Sequence, residues 1–185
     1  MIQHIDVSRV LRHAVCDLYS NLVTRPTGAA VRTQIERLLS EARERTLTVI
    51  DFTHVGLLDF SCADEVVAKL LLRYLADPSE DAFFVFRGVR DEHLEAIEQV
   101  LGRYGLALVL QLDDGAVQLV GAVEEEERRA WDVVCRLGSA SAEELAAAMA
   151  TEAREATQLL EGMRDRRLVM RLAGRYAPVG AGAGA

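Results

Sequence analysis

The sequence predicts an α/β protein: a small mixed sheet with βαβ crossovers, followed by a mostly helical C-terminal unit. Three observations carry that expectation. Short runs rich in Val, Ile, Leu and Phe alternate with helical patterns up to Gly121, an order that yields parallel strands joined by right-handed crossovers. Asp114-Gly115 between two apolar runs signals a two-residue hairpin and one antiparallel strand. Beyond Gly121 the pattern stays helical until a short basic, apolar stretch near the end.

The elements follow in order. Val7, Val10, Leu11, Ala14, Val15, Leu18 and Tyr19 recur at helical spacing and predict one amphipathic helix. Thr24-Arg25-Pro26-Thr27-Gly28 interrupts it, and Pro26 suits the start of a second helix carrying Val31, Ile35, Leu38, Leu39 and Ala42. Leu47 to Phe52 reads as a buried strand. Ser61 to Leu75 is helical and stops before Asp77-Pro78. A strand over Ala82–Phe86, a helix over Asp91–Tyr104 and strands over Leu106–Leu110 and Ala116–Val120 complete the first unit.

In the second unit, Glu124 to Glu127 can open a helix, since carboxylates suit a helix N-terminus. Ala130, Val133, Val134 and Leu137 line that helix, and Gly138 ends it. Ser141-Ala-Glu-Glu144 is a capping box for a short helix with Leu145 and Met149. Ala153, Ala156, Leu159, Leu160 and Met163 mark a third helix, and a tight hairpin turns at Ala173-Gly174. The expected division is 1–121, 122–179 and a disordered Gly-Ala tail, 180–185.

Composition narrows the function. The chain has 185 residues, 50% hydrophobic and 27% charged, which excludes a disordered linker and allows a real core. The net charge of −8 divides into −6 over 1–121 and −2 over 122–185, which argues against a nucleic-acid coat or a binder of anionic membranes. No apolar run approaches the ~20 residues of a membrane span, and the start, Met1 to Arg9, has neither the basic nor the apolar region of a signal peptide. The expected location is cytoplasmic. Cys16, Cys62 and Cys135 are odd in number, far apart and flanked by apolar residues, which predicts reduced core thiols rather than disulfides or a zinc site. His4, His13, His54 and His93 lack metal spacing and are expected on the surface or in loops. No phosphate-binding glycine loop, nucleophile elbow or metalloprotease motif is present, so neither an enzyme nor a cofactor is expected.

The richest segment is Thr48-Val-Ile-Asp51-Phe52, followed by Asp59-Phe60-Ser61-Cys62-Ala63-Asp64-Glu65. An acidic residue closes a buried strand, and Asp-x-Ser stands at a helix start. This resembles the STAS domain of bacterial anti-anti-sigma factors, and most closely its divergent STAS-like relatives, over roughly residues 45–120. In that family the loop reads Asp-Ser-Ser-Gly, and a partner kinase phosphorylates the second Ser. The resemblance implies that Ser61 matches the phospho-acceptor, Asp59 the loop Asp and Asp51 the strand-ending acid, while Phe60 and Cys62 depart from the pattern. It also implies a kinase-like anti-sigma factor as protein partner. A phosphate on Ser61 would meet free backbone N–H groups and the helix dipole. Its charge beside Asp59, Asp64 and Glu65 would repel an acidic surface. The alternative reading makes Ser61 a plain N-cap of a Ser61-x-x-Asp64 capping box. Arg25 and Thr27 can face an anion or an acidic partner, or simply join two helices.

The order of elements after residue 124 resembles a winged helix-turn-helix. That resemblance implies an alternative role as a transcription regulator, with Arg154, Gln158, Arg167, Arg171 and Arg175 reaching DNA. The third helix also turns Glu152, Glu155 and Glu161 outward, which favours use of this unit in protein docking or homodimerisation.

Overall fold

The computed structural model describes residues 2–41, 46–77 and 82–181. Five strands form one sheet in chain order: β1 (Ile2–Asp6), β2 (Thr46–Asp51), β3 (Ala82–Arg87), β4 (Ala107–Gln111) and β5 (Val117–Gly121). The first four run parallel and β5 antiparallel to β4. Because every crossover steps to the next strand in the same direction, a constant hand places all the connecting helices on one face. These are α1 (Val7–Ala14), α2 (Arg25–Ser40), α3 (Phe60–Ala63) and α5 (Asp91–Tyr104). A π-helical turn, Asp64–Lys69, joins α3 to α4 (Leu70–Ala76) without a break.

Alternation along the strands builds two cores. Ile5, Ile50, Phe84, Phe86, Leu108 and Leu110 face these helices. Val49, Phe83, Val85, Val109 and Leu119 point the other way, onto α6 (Glu125–Leu137), α7 (Ala142–Met149), α8 (Ala153–Asp165) and the β6 (Val169–Leu172)–β7 (Arg175–Pro178) hairpin. The segment after Gly121 therefore covers the second face of the same sheet. Arg166 ties the end of α8 to the start of this segment, donating to the Ala122 carbonyl at 2.5 Å and pairing with Glu127, and it reaches the first unit at the Gly105 carbonyl, 3.5 Å away. Arg167 donates to the carbonyls of Tyr74 and Asp77 and lies over the Phe83 ring.

Several sequence expectations change. A strand the sequence reading did not include, β1, precedes the N-terminal helix, which is shorter than its Val7–Tyr19 pattern and is capped by Asp6, whose carboxylate accepts from the Arg9 N–H. Ala14, Val15, Leu18 and Tyr19 lie exposed beyond or at the end of α1. At the sheet edge β1 buries Ile5 and leaves its other side chains exposed or partly exposed, so its apolar pattern is weak. The β4–β5 connection is longer than two residues: Leu112 N–H donates to the Ala116 carbonyl around Asp113–Gly115. Leu137, Ala153 and Cys16 are exposed, whereas His93 is buried in α5. Gly180, expected in a disordered tail, is buried against Val85, and its carbonyl accepts from the Gln111 amide. Ala42, Pro78 and residues 182–185 lie outside the described residues.

Candidate functional site at the meeting of two helix starts

Two helices begin side by side because one carboxylate serves both. Asp59 is the N-cap of α3: its Oδ1 accepts from the Cys62 N–H at 2.7 Å and the Ser61 hydroxyl at 2.8 Å. Its Oδ2 accepts from the Thr24 N–H at 2.9 Å, at the start of α2. Burial works against the charge of Asp59, but these donors outweigh it and hold the carboxyl below its usual range. Ser61 is consequently not the cap. It stands in the first turn, half-buried, with its hydroxyl on the residue that is.

The junction is close and strained. Thr24 has φ +74°, a conformation that a β-branched residue rarely adopts. Gly28, one turn into α2, leaves room for Cys62, whose Cα would lie 2.9 Å from any added Cβ. The Cys62 thiol donates to the Thr24 carbonyl at 3.0 Å, and burial together with Asp59 pushes it up to about 12. A thiol so placed is a packing group, not a nucleophile.

Below the junction sits a buried acidic pair. Asp64 and Glu65 are each only 2% exposed, and consecutive residues of an α-helix do not normally share a partner. Here they fall in the π-helical turn, and Arg25 reaches both, at 2.5 and 2.7 Å. Arg32 adds a bond to Glu65 at 3.2 Å, Lys69 closes an i,i+4 pair with Glu65, and the Tyr104 hydroxyl donates to Asp64 at 2.8 Å. Burial raises both carboxyls, but the surrounding donors win and hold them below their usual range. π-helical turns occur often at functional sites.

The outer edge of the site is apolar. Loop 15–24 is zipped to loop 53–59: Gly56 N–H to Ser20 carbonyl, Leu57 N–H to the Asn21 side chain, and Leu22 N–H to Leu57 carbonyl. The zip leaves Leu18 92% and Leu57 57% exposed, with Tyr19 beside them. Arg90 and the buried His93 support loop 53–59 from beneath through the carbonyls of Val55 and Gly56.

The structure thus brings Arg25, Asp59, Ser61, Asp64 and Glu65 together, with Thr27 on the first turn of α2 through its hydroxyl contact with Thr24. Asp51 is placed elsewhere: it holds Thr53 and pairs with Arg87 at 2.7 Å. Sequence reasoning missed Arg32, Lys69, Tyr104 and His93. The Glu65–Lys69 spacing and the Arg25–Arg32 spacing, two turns apart on one helix face, are legible signals; Tyr104 is not.

The DNA-directed set is dispersed. Arg167 is turned inward to Tyr74 and Asp77, Arg175 holds Ser139 and Glu144, and Arg171 pairs with Glu161. Arg154 and Gln158 remain exposed on α8. Among the described residues no cluster with metal-binding composition occurs, and no helix is long and apolar enough to cross a membrane. Comparison with protein-family models, with curated proteins and with solved structures finds no match for this chain.

Proposed function

We propose that this chain is a regulatory protein that works by binding a protein partner at the edge formed by loops 15–24 and 53–59, under control of phosphorylation at Ser61. The observation that carries this reading is the Ser61 hydroxyl bonded to Asp59, the residue that ties α2 to α3 and ends the loop 53–59, which exposes Leu57 and is bonded to the loop 15–24 that exposes Leu18. Exposed apolar side chains grouped on one edge fit a protein contact. A phosphoryl group on Ser61 adds about −1.5 to −2 charges at neutral pH. It would break the bond to Asp59 and repel that carboxylate, loosening its hold on Thr24 and on the start of α3. Arg25, half-exposed and one residue beyond Thr24, is the nearby cation able to turn toward the new charge. The partner edge would thus change shape and charge together. The resemblance to anti-anti-sigma proteins supplies the partner class, a kinase-like anti-sigma factor.

Affinity capture from the source cells, with mass spectrometry of both the captured proteins and the bait, tests the reading. The expected result is a kinase-like partner held by the parent and by Ser61→Ala, lost with Ser61→Asp, and phosphorylation of the parent at Ser61. Capture unaffected by Ser61→Asp, or modification elsewhere with Ser61 untouched, overturns it.

A further inference from the structure

A groove of about 680 Å³ opens between the first turn of α6 and the corner where α7 meets α8. Glu124, Glu126 and Glu155 stand exposed around it, and Met149 and Leu159, half-buried against the second core, contribute apolar surface. Glu127 and Arg166 also line it but are paired with each other. With Arg129 as the remaining lining cation, the balance of the rim is acidic. Gly162 lines the same groove in the third turn of α8, and a Cβ there would meet nothing within 4 Å. Helix-interior glycine is disfavoured against alanine, and no contact within the chain calls for it here. What a bare backbone does offer at that spot is close approach by another chain.

We infer that this groove docks a basic segment of a protein partner, with Lys or Arg over the rim carboxylates and apolar side chains on Met149 and Leu159. Thioether side chains adapt well to such anchors. The same carboxylates oppose a phosphate backbone, so the exposed face of α8 is suited to a protein rather than to DNA. This surface is separate from Ser61, and its occupancy does not depend on phosphorylation.

The test is fluorescence anisotropy of the full chain with a labelled peptide whose Leu residues, one helical turn apart, are flanked by Lys and Arg. A matched peptide with Glu at the basic positions and a labelled duplex DNA serve as comparisons. Binding of the basic peptide alone is expected, weakening as salt rises. Glu126→Lys/Glu155→Lys weakens it about tenfold or more, which is about 1.4 kcal/mol. Gly162→Leu fills open space, so it leaves the thermal midpoint at or above the parental value while weakening the peptide to a similar degree. Glu95→Lys/Glu98→Lys, an equal charge change on the exposed face of α5, leaves binding within about twofold of the parent after correction for long-range charge. Unchanged binding in both groove variants, equal loss in the α5 variant, or preference for the duplex overturns the inference.

Discussion

Thr24 concentrates the tension of the site in one residue. Its φ of +74° is held by the Asp59 carboxylate on its N–H and the Cys62 thiol on its carbonyl. Strain of this kind costs of order 1–3 kcal/mol and persists only where neighbours over-determine it. Glycine adopts the same conformation freely, while its greater freedom when unfolded offsets part of the gain. Thr24→Gly is therefore expected to raise stability by up to about 1 kcal/mol, read as a higher denaturation midpoint with an unchanged m-value. A loss of stability instead would place the strain elsewhere. The neighbouring pattern Asp59-x-Ser61 marked a helix start correctly, but its plain-cap reading put the cap on Ser61, whereas the structure puts it on Asp59. An Asp or a Ser can fill that role equally, and only the position of Thr24, from a distant segment, selects Asp59.

At the scale of elements, the π-helical turn in the continuous helix from Phe60 to Ala76 is where Asp64 and Glu65 meet their shared partner Arg25. Both carboxyls are ionised below their ordinary range in the native state, because Arg25, Arg32, Lys69 and Tyr104 outweigh burial. The native chain then binds fewer protons than the unfolded one in mild acid, and stability rises with pH there. That contribution is complete above the ordinary carboxylate pKa of about 4. It is lost as pH falls from that value through the depressed native ones. Glu65→Gln is expected to lower stability at neutral pH by about 2 kcal/mol and to flatten the acid limb, as seen in urea melts across a pH series. An acid limb as steep as the parent's would show that the pair does not set it. The i,i+4 spacing of Glu65 and Lys69 was legible though it went unread, whereas the buried pair was not legible, since adjacent carboxylates on an ordinary helix diverge. Helix α5 was equally visible from Asp91 to Tyr104, yet nothing local shows that its last residue reaches Asp64 or that His93 is inside.

Across the whole molecule, one sheet serves two cores, and this governs how the chain behaves as a unit. Stopping at Gly121 would bare Val49, Phe83, Val85, Val109 and Leu119 on one face and take Arg167 from the carbonyls of Tyr74 and Asp77. A contiguous apolar face of that kind drives association. The fragment 1–121 is expected to aggregate, whereas the full chain unfolds in one cooperative transition by circular dichroism and tryptophan fluorescence alike. A soluble fragment with its own cooperative melt would contradict the shared-sheet account. No composition break at Gly121 could reveal this sharing: a fully buried strand reads as an unbroken apolar run whichever partners cover its two faces.

What the sequence by itself determined was local. Uninterrupted apolar runs set β2, β3 and β4, helical spacing set α2, α5, α6 and α8, and the Ser141–Glu144 capping box set the start of α7. It also brought Ser61 and Asp59 into consideration, through the Asp-x-Ser pattern at a helix start, and Arg25, as a cation able to meet an anion. What only the tertiary structure decided was juxtaposition: that two helix starts share Asp59, that Arg25 closes over a buried acidic pair, and that the helices after Gly121 lie on the back of the first unit's sheet. Local pattern follows from the period of each element, which a dozen residues express. Juxtaposition depends on contacts between residues 35 to 93 positions apart, and no neighbouring side chains encode those.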